Sequence, residues 1–308
     1  MVDILNPQLG ERVFDPACGT GGFLVNVIEH KKKLFKTPKD IEKLQDNIHG
    51  IEKKPLPHML AMTNMMLHGI DVPSNIRHDN TLSKPLKDYG PKDRMDVIIT
   101  NPPFGGIEED GIEKNFPKKY QTRETADLFM ALIMHLLRAD TGRAGVVLPD
   151  GFLFGEGVKT NLKRELLKEF NLHTIVRLPK GVFSPYTGIS TNILFFDKGE
   201  PTKHVWFFDH PYPEGYKSYS RSKPLRIEEF DLEKKWWNNR KQNEYAWKVS
   251  LKEIEDKKYN LDFKNPHSVD IIHTDPDILM QDYEIIRKEL IATRDLLKKE
   301  LMSALGNN

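Results

Sequence analysis

The sequence predicts an α/β fold: a mostly parallel sheet of seven strands with helices on both faces, followed by a C-terminal helical extension. Three observations carry this expectation. Strand and helix signals alternate through about the first 200 of the 308 residues. Apolar runs such as DVIIT and AGVVLP lack the alternation of a half-exposed strand, as expected for strands covered on both faces. Helix-length segments fill the gaps between these runs.

Taken in chain order, the opening MVDILNPQLGE has the pattern of the last turns of an amphipathic helix with no capping residue before it, so the chain is expected to begin partway through a domain. Strands are expected at residues 11–15, 47–52, 75–78, 95–100, 144–148, 173–178 and 192–196, and helices at 22–33, 55–69, 126–138 and 157–169. Lysines 31–33 close the first long helix and complement its dipole. Residues 104–124 carry Gly, Pro and many charges with little periodicity, and loops of about twenty residues in compact domains are usually functional or mobile. These elements make a catalytic domain of residues 1–199. Beyond Gly199 the character changes: residues 200–268 are rich in charge, aromatics and Pro and are expected to be an irregular surface extension. Asp275-Pro276 then opens a long helix over 269–308, with Leu279, Tyr283, Ile286, Leu290, Leu297 and Leu301 along one side, a stripe suited to docking on another helix of this chain or of a partner subunit.

Composition narrows the class. The chain is 38% hydrophobic and 30% charged, the profile of a globular protein, and 46 Lys and Arg against 45 Asp and Glu leave a net charge of +1. That balance gives no whole-chain argument for nucleic acid and none against a local basic patch. The single Cys18 excludes an internal disulfide framework and fits a reducing cytoplasm. No apolar run approaches the ~18 residues of a membrane span, and no basic-apolar-small leader opens the sequence, so a soluble cytoplasmic protein is expected.

Two motifs carry the chemistry. In VFDPACGTGGF, residues 13–23, a strand passes into Gly19, Gly21 and Gly22 and then into a helix. A P-loop requires Gly-Lys-Ser/Thr at its end, but Phe23 follows Gly22. A dinucleotide fingerprint requires a third Gly at the position of Leu24. S-adenosylmethionine (SAM) has no phosphate. It needs close backbone approach and an acid for its ribose hydroxyls, and IHGIEKK places Glu52 at the end of the second strand. The fourth strand ends in IITNPPFGG, where Pro102 and Pro103 lack N–H donors and stop it, and Asn101, preceding a proline, is biased to extended geometry. That makes a rigid rim at the carboxyl end of a central strand, where open α/β sheets bind ligands. An exocyclic amine on a heteroaromatic ring is a poor nucleophile because its lone pair is delocalised. The Asn101 amide oxygen and the Pro102 carbonyl can accept its two hydrogens and favour a more tetrahedral nitrogen, and Phe104 can stack on a base turned out of the duplex.

DPACGTGGF together with NPPF resembles the amino-group DNA methyltransferases. LPDGFLF, LLKEFNLHTIVRLPKGVF and TGISTNILFFDKG bring the resemblance closer, to the modification subunit of type I restriction-modification systems, from residue 1 to about residue 270. The resemblance implies a Rossmann-like SAM-dependent methyltransferase fold and transfer of methyl to N6 of adenine in double-stranded DNA. It assigns Asp15, Ala17, Gly19, Thr20, Gly21, Glu52, Asp79 and Asn80 to SAM, Asn101, Pro102, Pro103 and Phe104 to catalysis, and Asp127 and Phe129 of TADLFMALI to the substrate pocket. It further implies a separate specificity subunit that reads the DNA, for which the terminal helix is the expected dock, a restriction subunit in some systems, and no membrane. Family members carry an amino-terminal helical domain ending in a Thr-Pro segment that closes over SAM; here neither is present, and a fragment or truncated product is expected. Methylation of a protein glutamine or of RNA, or a non-catalytic assembly module, are the alternatives. Cys18, inside the glycine turn, lacks the preceding proline of a cytosine C5 nucleophile, and no histidine or cysteine spacing suggests a metal. KKWWNNRK, with Arg221, Lys223 and Arg226, is either a nucleic-acid contact or a solvated face with an anchored indole.

Overall fold

The computed structural model describes residues 1–268 and 276–305, without the side chains of 276–279, 281, 282 and 303–305. It divides into two compact units, Met1–Pro266 and His267–Asn308. In chain order the first unit contains α1 (Val2–Leu5), β1 (Val13–Asp15), α2 (Gly22–Lys32), α3 (Lys39–Asp46), β2 (Ile48–Glu52), α4 (Pro55–Leu67), β3 (Ile76–His78), β4 (Val97–Thr100), α5 (Thr125–Leu136), β5 (Arg143–Pro149), α6 (Asp150–Phe154), α7 (Val158–Glu169), β6 (Phe170–Arg177), β7 (Thr191–Lys198), β8 (His204–Asp209), α8 (Asp231–Trp237), β9 (Ala246–Ser250) and α9 (Leu251–Asp256). The second holds α10 (Pro276–Leu305).

All seven expected strands are present, and the sheet has nine, in the order β3-β2-β1-β4-β5-β7-β6-β8-β9. β7 runs antiparallel between β5 and β6, and β9 antiparallel beside β8; the remaining neighbours are parallel. The carboxyl ends of β1, β2, β4, β6 and β8 therefore share one edge of the sheet. Successive residues of the central strands feed two cores: Phe14, Ile98 and Val146 join the face covered by α5 and α7, while Val13, Val97, Ile99 and Val147 join the face covered by α2 and α4. Helix α5 is buried along almost its whole length, as its apolar composition on every side requires.

The extension after Gly199 departs from expectation. HVWFFD forms β8 in parallel register with β6, with Val205, Phe207 and Phe208 fully buried. A four-residue apolar run inside a charged segment is diluted in any average over the region, which is why composition hid it. In KKWWNNRK, Trp236 is buried, its Nε1 donates to the Lys241 carbonyl at 2.9 Å, and the Arg240 guanidinium lies 4.4 Å from the centre of the Trp237 ring. Trp236 meets Trp206 and Phe208 of β8, and Trp237 meets Phe195 of β7, so these indoles anchor α8 to a face of the sheet.

The opening segment is also built in. Arg143 of β5 donates to the Leu5 carbonyl at 2.6 Å and to the Asn6 carbonyl at 3.0 Å, and pairs with both carboxylate oxygens of Glu11 at 2.8 and 2.7 Å. Lys31 stands in the last turn of α2, as expected, but it is fully buried and donates to the Glu11 carbonyl at 2.6 Å; burial lowers its ammonium to about 8. In α10 the described members of the predicted stripe, Tyr283, Ile286, Leu290, Leu297 and Leu301, are exposed, while Asp275 and the Leu279 side chain lie outside the described residues.

Candidate active site

The glycine turn between β1 and α2 is shaped from three sides. Gly19 and Gly21 have φ of +55° and +83°, in the left-handed region. At Gly21 a Cβ would stand 3.0 Å from Met65 Cε and 3.5 Å from Ala61, so α4 packs directly on the turn. At Gly19 a Cβ would meet nothing within 4 Å, so the backbone there is open to close approach. Glu52, at the end of β2, accepts the Gly19 N–H at 2.9 Å with one oxygen and the Lys54 N–H at 2.8 Å with the other. The Thr20 carbonyl accepts from Asn64 at 2.8 Å, and the Cys18 N–H reaches the Ile51 carbonyl. Cys18 itself is packed beneath the turn, and burial pushes its thiol well above the usual range, so it is no nucleophile. The Asp79 N–H is bonded to the Glu52 carbonyl, and the exposed Asp79 carboxylate accepts the Asn80 N–H at 2.8 Å, bringing the β3 loop beside Glu52.

The second motif is bonded to the first. Asp15 is 1% exposed, and its Oδ1 accepts both the Thr100 hydroxyl at 2.7 Å and the Ala17 N–H at 3.1 Å, so the ends of β1 and β4 are joined directly. Burial, the dominant cause, pushes the Asp15 carboxyl up to about 7; the two hydrogen bonds oppose the rise and the charge of Glu52 adds to it. One residue beyond Thr100, the Asn101 Oδ1 is buried and makes no hydrogen bond. A buried amide oxygen without a donor is costly, and such exceptions concentrate where a ligand completes the bonding. Pro102 is buried and Pro103 exposed, as a rigid rim requires. The Phe104 ring meets Phe183 edge-on, with ring centroids 5.5 Å apart.

The segment after the motif returns to α5. The Thr125 N–H donates to the Gly106 carbonyl at 3.0 Å, and Glu108, buried, accepts the Thr125 hydroxyl at 3.2 Å. Lys53 and Asn80 approach the other Glu108 oxygen, each at 3.4 Å, and Lys53 also pairs with Glu109 at 3.0 Å. Asp127, 2% exposed, pairs with Lys159 at 2.9 Å through Oδ2 while its Oδ1 is buried without a partner. Burial raises its carboxyl above the usual range against the pull of Lys159. Phe129 belongs to the core between α5 and the sheet. It packs there in a helix buried on nearly every side, so no periodicity marks it out.

The profile of the N-6 DNA methylase family matches residues 1–274. The chain belongs to that family. It is 57% identical to the type I restriction enzyme EcoEI methylase subunit of Escherichia coli, over 100% of this chain and 64% of that protein. Identity to the EcoKI methylase subunit of E. coli K12 is 36%, over 68% of this chain and 42% of that one. Thus this chain spans between about two fifths and two thirds of the length of these curated relatives. The fold agrees with a modification subunit from Vibrio vulnificus YJ016, with TM-score 0.84 and 50% identity over 89% of this chain and 59% of that one. It agrees also with the EcoKI M protein, with TM-score 0.74 and 27% identity over 98% and 71%.

In this N-6 DNA methylase family member the glycine turn, Glu52, the Asp79–Asn80 loop and Asn101–Phe104 stand together along one edge of the sheet. Sequence reasoning missed three residues that hold them: Thr100, which bonds Asp15; Glu108, where three elements converge; and Phe183, the aromatic partner of Phe104. Phe183 ends LLKEFNLHTIVRLPKGVF, where nothing local distinguishes it from a core phenylalanine. Among the described residues, no group of three His, Cys, Asp or Glu side chains could hold a metal ion, and no helix is long and apolar enough to cross a membrane.

Proposed function

We infer that this chain transfers the methyl group of SAM to N6 of adenine in double-stranded DNA, as the catalytic subunit of a type I restriction-modification complex. The observation that carries the reading is the Asn101 oxygen, buried, without a hydrogen bond, at the carboxyl end of β4.

The residues present fit SAM. Glu52 keeps a free lone pair on each oxygen for the ribose hydroxyls after accepting its two backbone N–H groups. Gly19 leaves its Cβ direction open, Asp79 and Asn80 offer polar groups for the adenine, and Ala17, Thr20 and Gly21 complete the turn. When bound, the cofactor supplies an electrophilic methyl on a sulfonium. On the substrate side, Asn101 Oδ1 and the Pro102 carbonyl accept the two N6 hydrogens, which concentrates the lone pair along the transfer direction. Held by Glu52, Asp79, Asn80 and the glycine turn, the cofactor would supply its methyl to N6 and leave as a neutral thioether, and the surplus N6 proton would pass to solvent water from the side that Asn101 Oδ1 and the Pro102 carbonyl hold. Phe104, with Phe183 edge-on, walls the base and offsets part of the cost of turning it out of the duplex. The two acceptors make this catalysis by positioning and electrostatics, with no covalent intermediate.

The resemblance to methylase subunits of type I restriction enzymes supports a specificity subunit as DNA reader and a restriction subunit in the same complex. The apolar, exposed side chains of α10 are the proposed dock for the specificity subunit. The test is transfer of labelled methyl from SAM to DNA, with and without a cognate specificity subunit, for wild type and Asn101→Ala. Label is expected with the complete pair and reduced about 10²–10³-fold by the substitution, the scale of losing one preorganised hydrogen-bond partner. Label from neither preparation leaves the assembly-module reading. Digestion to nucleosides separates N6-methyladenine from N4-methylcytosine.

A further inference from the structure

We propose that residues 210–230, between β8 and α8, are a brace that fixes the Phe183-bearing loop against Phe104 and so sets the width of the base pocket. The proposal rests on the adenine-pocket reading above and names positioning residues for it.

Sheet topology brings the two segments together. Because β6 and β8 are parallel, with Arg177 opposite Asp209, the chain leaving each emerges at the same edge, and the His210 N–H donates to the Arg177 carbonyl at 3.0 Å. From there the 210–230 segment grips the loop by its backbone. The Tyr212 hydroxyl donates to the Lys180 carbonyl at 3.0 Å. Gly181 has φ +85°, and a Cβ built there would lie 2.7 Å from the Tyr219 carbonyl oxygen and 3.2 Å from its nitrogen. That separation is below any real Cβ contact, so the two backbones touch. Tyr219 is itself held: it is 3% exposed, its hydroxyl donates to Glu229, and Glu229 accepts the Arg226 N–H at 2.8 Å. The Tyr212 and Tyr216 rings stand 5.5 and 5.9 Å from that of Tyr219. Two residues beyond Gly181, Phe183 meets Phe104.

The grip falls on a carbonyl and a glycine, which leaves the loop little room to shift without moving Phe183. A misplacement of about 1 Å can cost on the order of 10²-fold in rate even from outside the reacting atoms. This gives the aromatic segment after β8 a purpose that its composition alone did not show. It also explains why a glycine stands at 181, in a loop whose neighbouring residues need none.

Tyr212→Phe removes one hydroxyl, and Gly181→Ala inserts one methyl against Tyr219. Both are tested in the full chain with a cognate specificity subunit, on duplex DNA carrying 2-aminopurine at the target adenine, and by steady-state methyl transfer on unmodified DNA. The expected result for Gly181→Ala is a fall in kcat of about 10²-fold with KM for DNA changed less than about threefold. A smaller fall in the same pattern is expected for Tyr212→Phe. In both, 2-aminopurine fluoresces more strongly than in the wild-type complex, because a loosened wall stacks less on the turned-out base. Should Gly181→Ala not fold, Tyr212→Phe decides alone. Unchanged kcat and fluorescence overturn the brace. So does a parallel loss of kcat, DNA affinity and thermal stability with wild-type fluorescence in the remaining complex, which is a folding role only. If wild type neither transfers methyl nor turns out the base, the pocket reading itself fails and the brace falls with it.

Discussion

Asp15→Asn separates the two things that Asp15 does: it joins β1 to β4, and it buries a titratable carboxyl. Both of its described hydrogen bonds arrive at Oδ1, from the Thr100 hydroxyl and the Ala17 N–H. An amide can place its carbonyl oxygen there and keep both. What it removes is the titration. The carboxyl sits at about 7 in the folded chain against an ordinary 3.8, chiefly through burial. An acid raised in this way binds its proton more tightly when folded. Its contribution to stability is therefore complete below the unfolded pKa and is lost as pH rises through the folded one. A rise of roughly three units corresponds to about 4 kcal/mol at most. The assay is urea unfolding of wild type and variant from about pH 4 to about pH 8, extrapolated to water at each pH. The stability difference, variant minus wild type, is expected to grow over that interval, starting near pH 4 and approaching the ceiling of about 4 kcal/mol by pH 8. A difference that stays flat refutes the reasoning, because it places the titration of Asp15 in the ordinary carboxylate range. A difference that grows in the same way but lies lower at every pH shows in addition that the amide loses the hydrogen bonds.

Gly21→Ala puts an L side chain at φ +83° and a methyl against Met65, and is expected to cost about 1–2 kcal/mol from the backbone conformation alone, read by denaturant midpoint. Glu108→Ala leaves the Thr125 hydroxyl without its acceptor and Lys53 without one of its two carboxylate partners. A loss of about 1–3 kcal/mol is expected, together with faster tryptic cleavage at Lys114 or Lys118 in the released loop. Ser250→Ala removes a reciprocal cap in which Ser250 Oγ accepts the Glu253 N–H at 3.3 Å and Glu253 accepts the Ser250 N–H at 2.8 Å. It should cost about 1 kcal/mol with no change in the denaturant slope.

The parts of this protein that rest on neighbouring residues were legible in the sequence. A run of apolar residues ended by Asp15-Pro16 or Asn101-Pro102-Pro103 stops where backbone sterics and missing N–H donors say it must, so the strands and both motifs stand within a few residues of their expected places. The acceptor role proposed for Asn101 likewise follows from residue type and position. Contacts between distant segments were not legible. That Thr100 bonds Asp15, that Glu108 gathers Lys53, Asn80 and Thr125, and that Phe183 reaches Phe104 depends on which strands lie side by side. Neither does the average polarity of residues 200–268 reveal that HVWFFD enters the sheet beside β6. The sequence by itself determined the elements and the chemistry each could offer, because periodicity and steric rules act within a few residues. Only the tertiary structure decided which side chains share an edge and which are held rigid, because strand order and burial join residues far apart in the chain.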